Sequence, residues 1–192
     1  MKPALFIGFA ALLLLSLLVF IGGAAAAEGA LHPRRLAIPQ NCPHAENVEC
    51  RSVSLTSPDG TALSAWYFEP GKRSSAAILL LHGIRASRWD MIDLGRLFEN
   101  AGYAARIPDL RGHGESGGLV TYGVAESQDI ATWTAWMLAQ NGVARIYGFG
   151  ASLGASELLE SLSRDHDFRA VVAESAYSDF PSIALERVAR QS

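Results

Sequence analysis

The chain has 192 residues, a formal net charge of −3 and 49% apolar residues, which suits one domain of ordinary size. Its basic residues are scattered rather than gathered in a stripe, which argues against a nucleic-acid-binding protein. No internal repeat or low-complexity run points to a solenoid or a linker-rich chain.

Met1-Lys2-Pro3 is a short positive lead, and Ala4 to Ile21 is an uninterrupted stretch of apolar and small residues. Gly22 to Ala27 closes it with small residues only, and Ala25-Ala26-Ala27 offers a cleavage site ahead of Glu28. The apolar stretch exceeds the usual signal-peptide core and just reaches the length that spans a bilayer. Residues 1–27 therefore read as an N-terminal membrane anchor in preference to a removed signal peptide. Both readings put the remainder outside the cytosol, membrane-anchored in one and secreted or periplasmic in the other. Lys2 on one side is opposed by Arg34 and Arg35 on the other, so charge bias does not decide orientation.

Residues 28–47 carry Pro33, Pro39 and Pro43 with no periodicity and read as a tether. Cys42 and Cys50 lie just before the first strand and could close a small loop as a disulfide in an oxidising compartment. Their surroundings lack zinc-ligand spacing, so no metal is expected.

Residues 48–192 carry the folded part. Val48 to Ser57 and Thr61 to Glu69 predict two antiparallel edge strands joined at Ser57-Pro58-Asp59-Gly60, where Pro presets φ and Gly accepts a positive one. Ala76 to Leu81 is a continuous apolar run, typical of a strand buried on both faces, and it ends at His82-Gly83. Ser87 followed by Asp90 predicts a capped helix start, with Met91, Leu94, Phe98 and Ala101 in 3.6 period and Gly102 as the stop.

Tyr103 to Ile107 is the next strand. Beyond a Gly-rich loop, Ile130, Trp133 and Met137 mark a helix that ends at Asn141-Gly142. Ala144 to Phe149 then runs as a strand into Gly150-Ala151-Ser152-Leu153-Gly154, and Ala155, Leu158, Leu159 and Leu162 continue at helical spacing. Phe168 to Ala173 is a further strand with Glu174 at its C-terminal end. This alternation predicts an α/β domain whose sheet is mainly parallel, with helices on both faces.

Strand, Gly-x-Ser-x-Gly and amphipathic helix without a gap form the arrangement of a nucleophile elbow, in which a sharp turn presents the serine hydroxyl. The segments Leu80-Leu81-His82-Gly83, Asp109-Leu110-Arg111-Gly112-His113-Gly114-Glu115-Ser116 and Gly150-Ala151-Ser152-Leu153-Gly154 occur in the order and spacing of the α/β-hydrolase superfamily. The chain resembles its serine hydrolase branches, such as the monoacylglycerol lipase and serine aminopeptidase-like groups. Gly123, Glu126 and Asp129 also fit how those families enter the helix before the elbow.

The resemblance implies Ser152 as nucleophile, with the backbone N–H groups of Leu153 and Ile84 as the oxyanion hole. Hydrolysis of a small or lipidic carboxylic ester, without a cofactor, is the activity it implies. A peptidase-like hydrolase and an acyltransferase would use the same serine, and a binding module would keep the elbow without catalysis. The family places its base, a His, after the acid and late in the chain. His166 alone follows the elbow, in a helix-to-strand connection that belongs at the opposite edge of a parallel sheet. His82 and His113 read as loop-supporting residues, Asp109 as a loop-fixing one, and His32 and His44 as parts of the tether.

Glu174 or Asp179 could serve as the acid, as in a minority of relatives. The fold is thus expected to be incomplete after its sixth strand, as the N-terminal portion of a longer hydrolase that supplies acid and His further on. Leu185, Val188 and Arg190 would begin a cap helix.

Overall fold

A computed structural model describes residues 3–39, 42, 49–69 and 75–178. Asp179, His44 and the expected cap-helix residues Leu185, Val188 and Arg190 lie outside the described residues. So does Val48, the expected start of the first strand.

The N-terminal stretch forms one helix, α1 (Pro3–Leu31), which runs through the small residues and ends in the segment read as a tether. Within it, Ile7–Ala26 has a mean hydropathy of 2.5 and none of it is buried, so it is long and apolar enough to cross a membrane.

Among the described residues six strands follow: β1 (Glu49–Thr56), β2 (Ala62–Glu69), β3 (Ala76–Leu81), β4 (Ala104–Pro108), β5 (Arg145–Ala151) and β6 (Phe168–Glu174). Between and after them lie α2 (Ile92–Asn100), α3 (Glu126–Leu138) and α4 (Leu153–Ser161). Ser87 caps the segment after β3 with a capping box to Asp90, but the first turn is a 3-10 turn, Arg88–Met91, before α2 begins.

The sheet order is β1-β2-β4-β3-β5-β6. β1 pairs antiparallel with β2, and β2 pairs antiparallel with β4. The remaining four strands, β4, β3, β5 and β6, are parallel. All six residues of β3 are buried, as a central parallel strand covered on both faces requires. β6 is the last strand on that side among the described residues, and most of its side chains are exposed.

Two apolar clusters sandwich this sheet. On one face Ile130, Trp133 and Met137 of α3 and Leu153 and Leu158 of α4 pack on Leu63, Ala65, Leu79 and Leu81. On the other, Ile92 with Leu94 and Phe98 of α2 packs on Trp66, Phe68, Ile78 and Ile107. Arg106 is buried in the first layer, where its guanidinium stacks 3.9 Å from the Trp136 ring centroid and 4.2 Å from that of Trp133. Burial lowers its pKa to about 9.

β3 hands the chain to β4 on one side through α2, and β4 hands it to β5 on the other side through α3. Strand order therefore reverses between β3 and β5. In open α/β sheets the crevice outside the carboxyl ends of the strands at such a point is where ligands bind. Ser152 stands at that point.

Candidate active site

β5 and α4 meet with no connecting loop, because Ala151 ends the strand and Leu153 begins the helix. Ser152 alone makes the turn, at φ 52° and ψ −110°. A non-glycine residue held there carries backbone strain of about 1–3 kcal/mol, which the surrounding packing must sustain. The two elbow glycines make that packing fit. A Cβ on Gly150 would lie 2.4 Å from the Gly154 carbonyl oxygen, and one on Gly154 would lie 2.6 Å from that of His82. The first turn of α4 thus rests directly on the end of β3.

Among the described residues the non-glycine positions with positive φ share one edge. Arg85 (φ 60°), Tyr122 (φ 55°), Ser152 and Ser175 (φ 55°) follow β3, β4, β5 and β6 respectively. Clustering of this kind is characteristic of sites where geometry is held against local preference. Neither Arg85, Tyr122 nor Ser175 stands out in the sequence, since nothing in their side chains announces a positive φ.

The turn after β3 passes beside the serine. A carbon at the Gly83 Cβ position would be 3.5 Å from Ser152 Cβ, and Leu81 and Gly150 are paired across the strands. Ala86 N–H closes this turn on the Gly83 carbonyl at 3.3 Å. Leu153 N–H is the first of α4 and has no intrahelical acceptor, and the helix dipole adds partial positive charge there. Gly83, one residue before Ile84, and Leu153 thus lie next to Ser152 on two elements.

His82 and His113 both have their ring nitrogens committed. Nδ1 of His82 faces the Gly83 carbonyl oxygen at 2.7 Å and so carries the proton, while Nε2 accepts the Leu110 N–H at 3.0 Å. Nδ1 of His113 donates likewise to the Arg111 carbonyl at 3.0 Å, and Nε2 accepts the Arg85 N–H at 3.3 Å. Both rings are neutral in this arrangement. Burial lowers both pKa values, that of His82 to about 3 with a contribution from His113. A sequence signal for the pair exists: each histidine precedes a glycine in a loop that follows a strand.

Asp109 accepts the N–H groups of Arg88 and Glu115, both at 2.8 Å, and pairs with the buried Arg88 guanidinium. Its burial raises its pKa against those partners. Arg111 forks onto Asp129 at 2.7 and 2.8 Å and also binds Asp59 and Thr61. This fixes the 109–116 loop against both the first turn of α3 and the β1–β2 turn. Glu126 meanwhile accepts from the Thr121 and Gly123 N–H groups at 2.6 and 2.9 Å.

Glu174 is exposed, and its carbonyl accepts the Ser152 N–H at 2.8 Å. His166 is exposed in the α4–β6 connection, at the other edge of the sheet. Cys42 and Cys50 are joined as a disulfide with their Cα atoms 5.8 Å apart. Glu157, one turn into α4, was not singled out by the sequence. It is buried with no hydrogen-bond partner among the described residues, and burial together with Glu126 and Asp129 raises its pKa well above the usual carboxylate range.

The family profile described as the alpha/beta hydrolase fold matches residues 76–191. The chain belongs to that family. Among solved structures it is similar to the Pyrococcus furiosus esterase Pf2001. In one crystal form the identity is 29% and the TM-score 0.69, over 76% of this chain and 58% of that one. A second form gives 26% identity and a TM-score of 0.73, over 83% and 60%. An alpha/beta hydrolase from Novosphingobium aromaticivorans is 27% identical with a TM-score of 0.54, over 74% of this chain and 49% of that one. The chain therefore spans about three fifths of the length of the esterase.

Proposed function

We propose that this chain carries the nucleophile and oxyanion hole of a serine hydrolase that cleaves carboxylic esters. The observation that carries the reading is Ser152 itself: a serine at φ 52° between a strand end and a helix N-terminus, at the strand-order reversal. The esterase likeness supports the choice of ester over amide.

In this reading Ser152 Oγ attacks the carbonyl carbon, and the oxygen gains negative charge as the tetrahedral intermediate forms. The N–H groups of Leu153 and Ile84 receive that charge, each typically worth about a hundredfold or more in rate. A serine hydroxyl needs a base to take its proton. His82 and His113 cannot serve while their Nε2 lone pairs are occupied by backbone donors. The base and acid are accordingly assigned to residues beyond those described here, with Glu174 as the alternative acid because it borders the nucleophile turn. α1 is read as an uncleaved membrane anchor with the domain outside the cytosol.

The test is fluorophosphonate labelling of the protein from its native source. Covalent labelling of Ser152, lost in Ser152→Ala, is the expected result. A folded protein that resists labelling would favour a non-catalytic binding role instead.

A further inference from the structure

The end of α1 is fastened to the domain at a particular place. Shortly after the helix, Arg35 Nη1 donates to the carbonyls of Ser116 at 2.6 Å and Gly114 at 3.1 Å, and Pro33 is buried. The Arg35 charge also adds to the burial that keeps His113 neutral. The segment read as a tether is thus bound at Arg35 to the 109–116 loop, which His113 links to the turn beside Ser152.

Chain length then limits where this loop can be. From Ala26, the end of the apolar window, the helix to Leu31 rises about 7–8 Å. The extended residues to Arg35 reach about 14 Å at most. The backbone of Arg35 is held within roughly 22 Å of the hydrocarbon boundary, of which the headgroup layer takes about 5–7 Å, and its side chain spans the remaining distance to the loop. The opposite edge, with Asn141 and His166, lies a strand length away, about 20 Å.

Four exposed apolar side chains lie on this side of the domain. Leu36 is in the bound tether, and Trp89, Leu119 and Val124 are in the loops at the Ser152 edge. Val124 is 77% exposed and Leu119 45%. Leu97, Leu159 and Val172 are comparably exposed elsewhere, scattered singly over α2, α4 and β6. Exposed apolar side chains on the side of the domain to which the segment after a membrane helix is bound fit a lipid surface.

We propose that the sheet edge carrying Ser152 rests on the bilayer, with Leu36, Leu119 and Val124 in the headgroup region, so that Ser152 receives its ester from the lipid phase. This rests on the reading of α1 as an uncleaved anchor. The test uses the full-length protein in phosphatidylcholine vesicles containing a lipid with a nitroxide on its acyl chain. A fluorophore is placed on Val124→Cys, Leu119→Cys or His166→Cys, and its quenching is measured.

Quenching several-fold stronger at positions 124 and 119 than at 166 is expected. Equal quenching, or stronger quenching at 166, in a chain whose N-terminus is intact by mass overturns the inference and leaves the anchor standing. A mature chain that begins after Ala27 overturns both. Quenching needs no turnover, so the result is independent of whether Ser152 is catalytic.

Discussion

His82 and His113 meet edge to face with ring centroids 5.1 Å apart, and each accepts an N–H from the loop that carries the other. Leu110 donates to His82, and Arg85 donates to His113. Two loops that end neighbouring strands are thereby held by a reciprocal pair of hydrogen bonds. The turn beside Ser152 is positioned by neutral imidazoles, and protonating either Nε2 would replace an acceptor with a second donor.

The acid limb of stability should report this brace. An unfolded histidine takes its proton near pH 6.5, whereas His82 does so only at about 3 in the fold. Between those values the unfolded chain binds the extra proton, so stability is complete above pH 6.5 and falls as pH drops. The loss should be about 1 kcal/mol per pH unit. His82→Asn should be less stable at pH 7 but lose stability less steeply from pH 6 to 4 in urea titrations. Parallel curves for the two proteins would count against the brace.

Ser152 pays for its position in backbone strain, and glycine adopts φ 52° without it. Ser152→Gly should therefore gain about 1 kcal/mol in chemical denaturation while losing all fluorophosphonate labelling. A loss of stability in this variant would show that the turn is not strained.

Gly154→Ala should act in the opposite sense. The added methyl would lie 2.6 Å from the His82 carbonyl oxygen and 2.7 Å from that of Leu81, and neither backbone group can swing aside. A loss of about 1–3 kcal/mol is expected, with slower labelling of Ser152 because the turn beside it must shift. Unchanged midpoint and labelling rate would mean that α4 can move away from β3.

Glu157 should be a net liability at neutral pH. Its pKa is raised in the fold, so the unfolded chain releases the proton first, and stability present below about pH 4.5 declines as pH rises. Glu157→Met should be more stable than the parent at pH 7, with the gain shrinking towards pH 4. A constant difference across that range would indicate that the carboxyl is ionised in the native state.

Much of the site could be read directly from residue patterns. Gly150-Ala151-Ser152-Leu153-Gly154 announced its turn because strand and helix periodicities abut there, and Ala76 to Leu81 announced a central strand because both its faces are apolar. What escaped was non-local. The exchange of β3 and β4 in the sheet depends on which strand edges pair, information that alternation alone does not carry. The role of Arg35 was invisible because a lone arginine among prolines looks the same free or bound. Glu157 was missed since its burial comes from α3 packing on α4, and the sequence offers it no partner.

The hydrogen bond from the Ser152 N–H to the Glu174 carbonyl ties the turn between β5 and α4 to β6, whose Val172 is 60% exposed. Amide exchange at Ser152 then reports on β6 rather than on the buried centre of the sheet. Any chain segment that pairs with β6 would slow that exchange without touching the serine. Protection of β6 and rigidity of the Ser152 turn would rise and fall together, so a strand with mostly exposed side chains sets how firmly this serine is held.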